Sequence, residues 1–321
     1  MATSDEKPNY PIDYVPPTSG PLSYLPSSWI PFAELTRVSL RGLYLGCIPC
    51  LIGLVYVANV AEPPIPRPAL IRAAVQMFLW ANIHRSAGCA WNDVVDCDLD
   101  RQTRRCCLRP VARGAITRAG GTVFTVQLIM LELLVLRGIS RECFVDIAII
   151  ILLTFIYPFG KRFTHFVQVI LGLNFAWTII LAAHMLDVDP WGEATKVPTL
   201  CFFAAILTMP VFYDTIYASQ DTADDIKSGV KGTAVLFRGY ILSFLVTLTL
   251  TVAALLHTTA SAIGMAMPYY SLSVYGPFAT FVALIVATQK WNVMLAGSHL
   301  LYFTAYLSLL AGLCGNYLAS H

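Results

Sequence analysis

Nine apolar segments separated by short polar loops dominate this chain of 321 residues. A helix needs about twenty apolar residues to cross a bilayer, and each segment is close to that length. Apolar residues make up 57% of the chain and charged residues only 12%, about half the charged share of a soluble domain. We therefore predict an all-α integral membrane protein with nine transmembrane helices. The predicted spans are roughly 40–60, 70–91, 121–137, 143–159, 166–185, 199–218, 238–257, 268–288 and 295–317.

Basic residues are distributed unevenly between the loops on the two sides of the membrane. The loops after the second, fourth, sixth and eighth spans are rich in Lys and Arg, whereas the alternate loops contain few. An excess of positive charge marks the cytosolic side, so we expect these loops and the N-terminus in the cytosol and the C-terminus in the lumen. The basic residues of this set are Arg101, Arg104, Arg105, Arg109, Arg113, Arg118, Lys161, Arg162, Lys227, Lys231 and Lys290.

The N-terminal stretch MATSDEKPNYPIDYVPPTSG is polar and proline-rich. It contains Asp5 and Glu6 but no arginine, whereas a mitochondrial transit peptide is rich in arginine and poor in acids. We expect residues 1–25 to form a disordered cytosolic tail and residues 26–321 to form one transmembrane domain. The expected location is the endoplasmic reticulum membrane, with the functional site facing the cytosol.

Two clusters of aspartates follow the second and the sixth predicted spans, within the stretches WNDVVDCDLDRQTRRC (91–106) and DTIYASQDTADD (214–225). They lie four spans apart, which suggests two four-helix units with an acidic end after the second helix of each, plus one additional helix. If the units face each other, both clusters lie at the mouth of a central cavity. We call the clusters the first lip (Asp93, Asp96, Asp98 and Asp100) and the second lip (Asp214, Asp221, Asp224 and Asp225).

The spacing within each lip indicates a cation site. Asp93, Asp96 and Asp100 are at positions i, i+3 and i+7, so at helical spacing their carboxylates share one face. Asp221 and Asp225 are also one turn apart. Carboxylates this close repel one another unless a cation holds them. Hard oxygen ligands favour Mg²⁺, which proteins bind with one or two carboxylates together with phosphate oxygens and water.

Three other interpretations of the lips compete with this one. The stretch 96–100 is similar to the start of a calcium-binding EF-hand loop, but Arg101 and Cys107 stand where that loop needs Gly and Glu. A solvated loop flank would not explain two clusters with matched helical spacing. An ion carrier places its ionisable residues near the bilayer midplane, whereas these lie at the ends of spans.

Three motifs in order resemble the UbiA superfamily of intramembrane prenyltransferases. RSAGCAWNDVVDCDLD (85–100) resembles its first signature, NDxxDxxxD, and YASQDTADDIKSGVKGTAVLF (217–237) resembles its second, YxxxDxxxD. YPFGKRFTHFVQVILGLNFAW (157–177) is similar to the loop and fifth helix between them. The resemblance covers about residues 22–317. It implies nine transmembrane helices, two Mg²⁺ ions, and transfer of a prenyl chain from its diphosphate to an acceptor.

The resemblance also implies roles for individual residues. The implied Mg²⁺ ligands are Asn92, Asp93, Asp96, Asp100, Asp221 and Asp225. Of these, Asp93, Asp96, Asp221 and Asp225 are the expected catalytic residues. The expected diphosphate-binding residues are Arg105, Lys161, Arg162, Tyr217 and Lys227. Arginine binds phosphate oxygens with a bidentate fork, whereas lysine acts as a point charge. The candidate aromatic side chains for stabilising an allylic cation are Phe78, Trp80, Phe175, Trp177, Phe212 and Tyr213.

Two departures from the family pattern concern the acceptor. Members of primary metabolism usually read RTxNRP after the first motif, whereas this chain reads RRCCLRPVARG (104–114), and RVSLRGLY (37–44) replaces a common Lys-Pro near the first helix. Both features are similar to the fungal meroterpenoid branch of the superfamily. We therefore expect transfer of a polyprenyl group, expected to be farnesyl, to a carbon of a phenolic polyketide or hydroxypyrone.

Two alternative functions remain open at this point. One is a 4-hydroxybenzoate polyprenyltransferase of quinone biosynthesis, and the other is a membrane carrier of divalent cations or of a phosphate-linked solute. The expected partners are the prenyl diphosphate, the acceptor and the lipid bilayer. We expect no nucleic-acid partner, and no obligate protein partner.

Overall fold

The computed structural model describes residues 14–37, 40–291 and 297–320, and the side chains of 14–37, 46–289 and 301–320. Within these residues the chain is helical and contains no β-strand, so the predicted all-α class is confirmed. In chain order the helices are α1 (Ile30–Leu35), α2 (Leu40–Val60), α3 (Arg67–Val95), α4 (Cys97–Gln102), α5 (Arg118–Val135), α6 (Arg141–Phe163), α7 (Val167–Met185), α8 (Lys196–Ala218), α9 (Thr222–Ser228), α10 (Thr233–Leu236), α11 (Ile241–Ile263), α12 (Tyr275–Trp291) and α13 (Gly297–Ser320). A 3₁₀ turn (Pro21–Tyr24) precedes α1, and a π-helix (Tyr269–Val274) leads directly into α12.

Seven helices in the described part of the chain are long and apolar enough to cross a membrane. They are α5, α6, α7, α8, α11, the π-helix together with α12, and α13. Helix α2 is apolar over the shorter range 46–60. Helix α3 is 29 residues long, but polar side chains such as His84, Arg85 and Asn92 face a cavity and lower its hydropathy. The count of nine spans therefore remains a prediction.

Two prolines interrupt the eighth predicted span, yet the helix is continuous there. Pro268 is the N-cap residue of the π-helix, where a missing amide proton costs no hydrogen bond. Pro277 lies in the first turn of α12, directly after the π-helical turn. Such wide turns accommodate local changes in the backbone hydrogen-bond pattern. The candidate span accordingly runs over Tyr269–Gln289.

The long helices pack as two groups of four with one additional helix. In the first group α3 contacts α2, α5 and α6, and in the second α8 contacts α7 and α11, which in turn packs on α12. The groups meet where α7 contacts α6 and α2, while α13 packs between α2 and α12. This is the arrangement that the spacing of the two acidic lips predicts. It encloses a cavity between the groups.

Close packing of α7 against α8 holds the second group together. A β-carbon at Gly172 of α7 would collide with the main-chain carbonyl of Leu207 in α8, so this crossing requires glycine. By contrast α5 presents exposed apolar side chains, including Val123, Val126 and Met130. In a membrane protein such a face is the one that lipid covers.

The first thirteen residues of the predicted tail lie outside the described residues. From Tyr14 onward the chain lies against the loop that follows α4. The Tyr14 hydroxyl donates a hydrogen bond to Glu34 at 2.7 Å, and the Arg113 guanidinium lies 3.8 Å from the centre of the Tyr14 ring. Part of the RVSLRGLY segment also lies outside the described residues.

Candidate active site

Both acidic lips lie at one end of a single cavity of about 470 Å³. Helix α3 ends at Val95, within the first lip, and α8 ends at Ala218, just before Asp221. The short helices α4 and α9 that follow them contact each other. The lip residues that line the cavity are Asn92, which adjoins the first lip, and Asp100, Asp214, Asp221 and Asp225. Acids more than a hundred residues apart in sequence are thereby brought to one site.

The first lip lies across a break between two helices. Helix α3 ends at Val95, and Asp96 has backbone angles of φ −86° and ψ 3° before α4 begins at Cys97. The hydrogen-bond ladder nevertheless continues, because the Asp100 amide donates to the Asp96 carbonyl at 2.8 Å. The kink changes the direction of the chain while keeping these two acids one turn apart.

Asp93 and Asp96 lie behind the cavity wall rather than in its lining. They are 1% and 0% exposed, and each is paired with a base from another element. Arg37 donates to Asp93 at 2.7 Å, and the Lys161 ammonium donates to Asp96 at 2.5 Å. Arg162 reaches the second oxygen of Asp96 at 3.4 Å. Buried carboxylates are tolerated when paired in this way.

Asp100 is the acid of the first lip that faces the cavity. Arg109 donates to both of its oxygens, at 3.0 and 2.8 Å, and also lies 3.4 Å from Asp93. Burial raises the pKa of Asp100 to about 6, against the lowering effect of Arg109. The acids of the first lip are thus paired with arginine and lysine, while the charges of Asp93 and Asp96 still raise the pKa of Asp100, as expected for carboxylates that repel one another.

Arg105 extends from the chain after the first lip to the second lip. It follows the first lip in sequence, and its guanidinium donates to Asp221 of the second lip at 2.6 and 3.1 Å. The same guanidinium donates to the Tyr217 hydroxyl at 2.8 Å and lies 4.7 Å from the centre of that ring. Asp225 makes no ion pair with any described residue, and burial together with the charge of Asp221 raises its pKa to about 6.

The remaining predicted phosphate-binding residues differ in their placement. Lys161 lines the cavity, whereas Arg162 lies outside its lining and donates to the carbonyl of Val95 at 2.9 Å. Lys227 is exposed and also lies outside the lining. Lys231 lines the cavity instead of Lys227. Helix α9 ends at Ser228, and Gly229, with a φ of 72°, turns the chain back toward the cavity. A hydrogen bond of 2.9 Å from the Lys231 amide to the Lys161 carbonyl fixes that turn.

Several cavity residues were missing from the predicted site. They are Arg37, Arg109, Asp214 and Lys231. Arg109 was assigned to membrane orientation, although RCCLRP (105–110) retains both arginines of the family's RTxNRP pattern, and that signal points to it. Nothing in the sequence indicates that Lys231 rather than Lys227 returns to the cavity.

The aromatic candidates divide into two groups. Trp80, Phe175 and Tyr213 line the cavity, and Tyr302 of α13 stacks on Tyr213 with ring centres 4.0 Å apart. The other candidates lie outside the lining: Phe78 is exposed, Phe212 stacks on Phe281, and Trp177 donates to Asp146. The cavity therefore has a charged end at the lips and an aromatic interior.

The donor atoms at the lips suit Mg²⁺ only in combination with a phosphate. Among the described residues, no group of three or more Asp, Glu, His or Cys side chains converges to hold a metal ion. The available ligands are the oxygens of Asn92, Asp100, Asp221 and Asp225, which lie around a mouth also lined by Arg105, Lys161 and Lys231. One or two carboxylates completed by phosphate oxygens and water is the usual Mg²⁺ environment. The residues thus fit a magnesium–diphosphate complex better than a bare ion.

Comparisons with known proteins agree with this geometry. The profile of the UbiA prenyltransferase family matches residues 46–299. The chain is 42% identical over 307 residues to the prenyltransferase ascA of Acremonium egyptiacum, covering 95% of this chain and 90% of that protein. It is 40% identical over 270 residues to the DMOA farnesyltransferase nvfB of Aspergillus novofumigatus, covering 83% of this chain and 84% of that one.

Solved structures show the same fold at low sequence identity. A UbiA homologue from Aeropyrum pernix has a TM-score of 0.72 and 17% identity, covering 87% of this chain and 98% of that one. A UbiA homologue from Archaeoglobus fulgidus bound to GPP and Mg²⁺ has a TM-score of 0.65 and 15% identity, covering 90% and 98%.

Proposed function

The chain belongs to the UbiA prenyltransferase family, and from that premise we propose that it transfers a farnesyl group from farnesyl diphosphate to a ring carbon of a phenolic polyketide or hydroxypyrone. It is an integral membrane enzyme of the prenyltransferase class, which removes the carrier interpretation. The proposal concerns the donor, the acceptor, the metal and the residues that act. One observation carries it: both acidic lips lie at the mouth of one cavity with an aromatic interior, and Arg105, from the loop after the first lip, pairs there with Asp221 of the second.

The basic residues at the mouth supply the binding site for the diphosphate. Arg105, Lys161 and Lys231 line the mouth, and Arg105 offers the planar fork that matches phosphate oxygens. In the structure this fork is held by Asp221. A diphosphate would compete with Asp221 for it and leave that carboxylate available as a ligand.

Mg²⁺ is the cofactor that fits the remaining oxygens. We propose that Asn92 and Asp100 hold one ion and that Asp221 and Asp225 hold a second, each with diphosphate oxygens. When bound, the ions neutralise the charge that develops on the departing diphosphate. Asp93 and Asp96 then act from behind the wall, since they hold Arg37, Arg109 and Lys161 in place.

The interior of the cavity suits a prenyl cation. Loss of the diphosphate leaves an allylic cation that water would capture, so the site must exclude water. Trp80, Phe175, Tyr213 and Tyr302 line the interior, and aromatic faces stabilise a nearby positive charge. The apolar wall also provides a place for the isoprenoid chain inside the membrane.

The choice of acceptor rests on the relatives and on the chemistry of the reaction. A relative at 40% identity is a DMOA farnesyltransferase, which supports farnesyl as the donor group. Attack by carbon on an allylic cation requires an electron-rich ring, and a phenolic polyketide or hydroxypyrone meets that requirement. We place the protein in the endoplasmic reticulum membrane with the lips facing the cytosol, because the loops beside them carry the excess of positive charge.

Product analysis tests this proposal. Microsomes containing the protein are given Mg²⁺, farnesyl diphosphate, and either an orsellinic-acid-type phenol or 4-hydroxybenzoate. We expect a C-farnesylated phenol, no such product with EDTA, and little or none from 4-hydroxybenzoate. Efficient prenylation of 4-hydroxybenzoate with long-chain donors would instead assign the protein to quinone biosynthesis.

A further inference from the structure

We infer that His84 is the group that takes the proton from the acceptor ring, and that Glu132 positions it for this step. The inference rests on the proposed aromatic C-prenylation and assigns a residue to its last step. His84 lies on α3 and lines the cavity interior. It belongs to neither lip and contacts none of the proposed metal ligands.

The surroundings of His84 are built from four helices. Its Nδ1 lies 3.2 Å from Glu132 of α5, and its Nε2 lies 2.9 Å from the Thr154 hydroxyl of α6. Asn174 of α7 donates to that same hydroxyl at 2.6 Å. Glu132 is completely buried, and its second carboxyl oxygen has no hydrogen-bond partner among the described residues. A buried acid in a membrane helix is costly, and such residues usually serve a function.

The hydrogen bonds assign the tautomer of the imidazole. An ionised Glu132 can only accept, so with Glu132 as a carboxylate Nε2 is left to accept the hydrogen of the Thr154 hydroxyl, whose oxygen accepts from Asn174. Nδ1 then carries the proton and donates to the Glu132 carboxylate. Nε2 is therefore the basic nitrogen, and the Thr154 hydroxyl that occupies its lone pair lines the cavity. This hydroxyl must turn away from Nε2 before Nε2 can take a proton from the acceptor. A carboxylate behind the ring stabilises the imidazolium that forms when Nε2 accepts a proton.

The depth of His84 in the cavity fits the position of an acceptor ring. His84 lies eight residues before Asn92 on the same helix, which at 1.5 Å per residue places it about 12 Å below the lips. When the diphosphate is bound at the lips, the first prenyl carbon and the ring that attacks it lie below the diphosphate, toward the depth of His84. Trp80 stacks on His84 with ring centres 5.2 Å apart. The Trp80 indole N–H is buried without a partner among the described residues.

The step balances without any further reactant. A ring carbon of the acceptor forms a bond to the first prenyl carbon, whose bond to the diphosphate oxygen breaks. The diphosphate leaves with that electron pair. The ring carbon then loses its proton to His84 Nε2, and the electron pair of the C–H bond restores aromaticity. The proton later passes from the imidazolium to water or to the departing diphosphate.

An isotope experiment with a matched control tests the inference. The variants are His84→Gln, Glu132→Gln and, as the control, His184→Gln. His184 also pairs with a buried carboxylate, Asp146 at 2.5 Å, but it does not line the cavity. The assay compares farnesylation rates of an orsellinic-acid-type phenol carrying hydrogen or deuterium at its ring positions. Binding of the unreactive farnesyl thiodiphosphate with Mg²⁺, followed by thermal shift, reports on the donor site separately.

We expect His84→Gln to slow farnesylation about a hundredfold, which is at the lower end of the range for loss of a general base. The His84→Gln enzyme should also show a deuterium isotope effect on this rate, which the wild type and His184→Gln lack. Glu132→Gln should show a smaller slowing with the same isotope effect, and donor-analogue binding should be unchanged in all three. A wild-type rate in His84→Gln, or a slow rate without an isotope effect, overturns the inference. If His84→Gln loses analogue binding, Glu132→Gln decides by the same criterion. Failure of the proposed function is recognised separately, since the wild type would then form no C-farnesylated product.

Discussion

Replacing Asp96 by asparagine should destabilise the protein, because this carboxylate holds two bases behind the site. Asp96 is completely buried, with Lys161 at 2.5 Å and Arg162 at 3.4 Å. Removing one partner of a buried pair costs about 3–5 kcal/mol when the other charge is left in the interior. Here the side chains of Lys161 and Arg162 are 25% and 40% exposed, so both remain partly hydrated. We therefore expect a loss at or just below the lower limit of this range, about 2–3 kcal/mol.

Thermal unfolding in detergent without Mg²⁺ measures this effect. A loss of this size lowers the melting temperature by roughly 5 °C in a chain of several hundred residues. The control is Asp98→Asn, whose partner Arg118 is about as exposed as Asp98 itself, and which should change stability by less than about 1 kcal/mol. The double variant Asp96→Asn with Lys161→Met should recover most of the loss, because it removes both charges. An unchanged or higher melting temperature for Asp96→Asn would refute this reasoning and show that repulsion among the acids of the first lip outweighs their pairing with Lys161 and Arg162.

Three further predictions concern activity. Arg105→Lys keeps the charge but loses the bidentate guanidinium, so kcat/KM for farnesyl diphosphate should fall about tenfold, whereas Arg105→Ala should lower it about a hundredfold. Equal values of kcat/KM for the two variants would contradict a bidentate role. Lys231→Ala should lower kcat/KM for farnesyl diphosphate about tenfold. Lys227 is exposed and lies outside the cavity lining, so Lys227→Ala should change kcat/KM less than about twofold. The reverse order would show that Lys227 binds the diphosphate. The pKa values of Asp100 and Asp225 are raised to about 6, so protons compete with Mg²⁺ for these carboxylates below that pH. The Mg²⁺ concentration for half-maximal activity should therefore rise as the pH falls from 7 to 5. A Mg²⁺ concentration for half-maximal activity that does not change with pH would exclude these carboxylates as ligands.

The helical class and the meeting of the two lips could be predicted from sequence because both follow from repeated patterns. Apolar runs of membrane length define the helices, and the four-span spacing of the acids places the lips at one end of the bundle. The break at Asp96 was not predictable in this way. Helical periodicity describes spacing along an ideal helix, and the chain keeps that spacing in its hydrogen bonds while it bends.

The partners of the acids could not be predicted because they come from distant elements. Arg37 and Lys161 are 56 and 65 residues from Asp93 and Asp96, and local charge counting assigns such residues to topology. The same holds for His84, which lies in an apolar stretch and acquires its partners Glu132 and Thr154 from two other helices. Arg109 is different, because the retained Arg-Pro pair was a local signal for it.

Metal binding by purified protein tests the central claim most directly, namely that the two lips form one site for a metal–diphosphate complex. Mn²⁺ serves as a paramagnetic substitute for Mg²⁺, and electron paramagnetic resonance measures the free ion with and without farnesyl thiodiphosphate. We predict that Mn²⁺ binds weakly without the analogue and that two Mn²⁺ ions bind tightly with it. We also predict that Asp100→Asn in the first lip and Asp225→Asn in the second each abolish the tight binding. Tight binding without the analogue, or tight binding that either single variant leaves intact, would contradict the account.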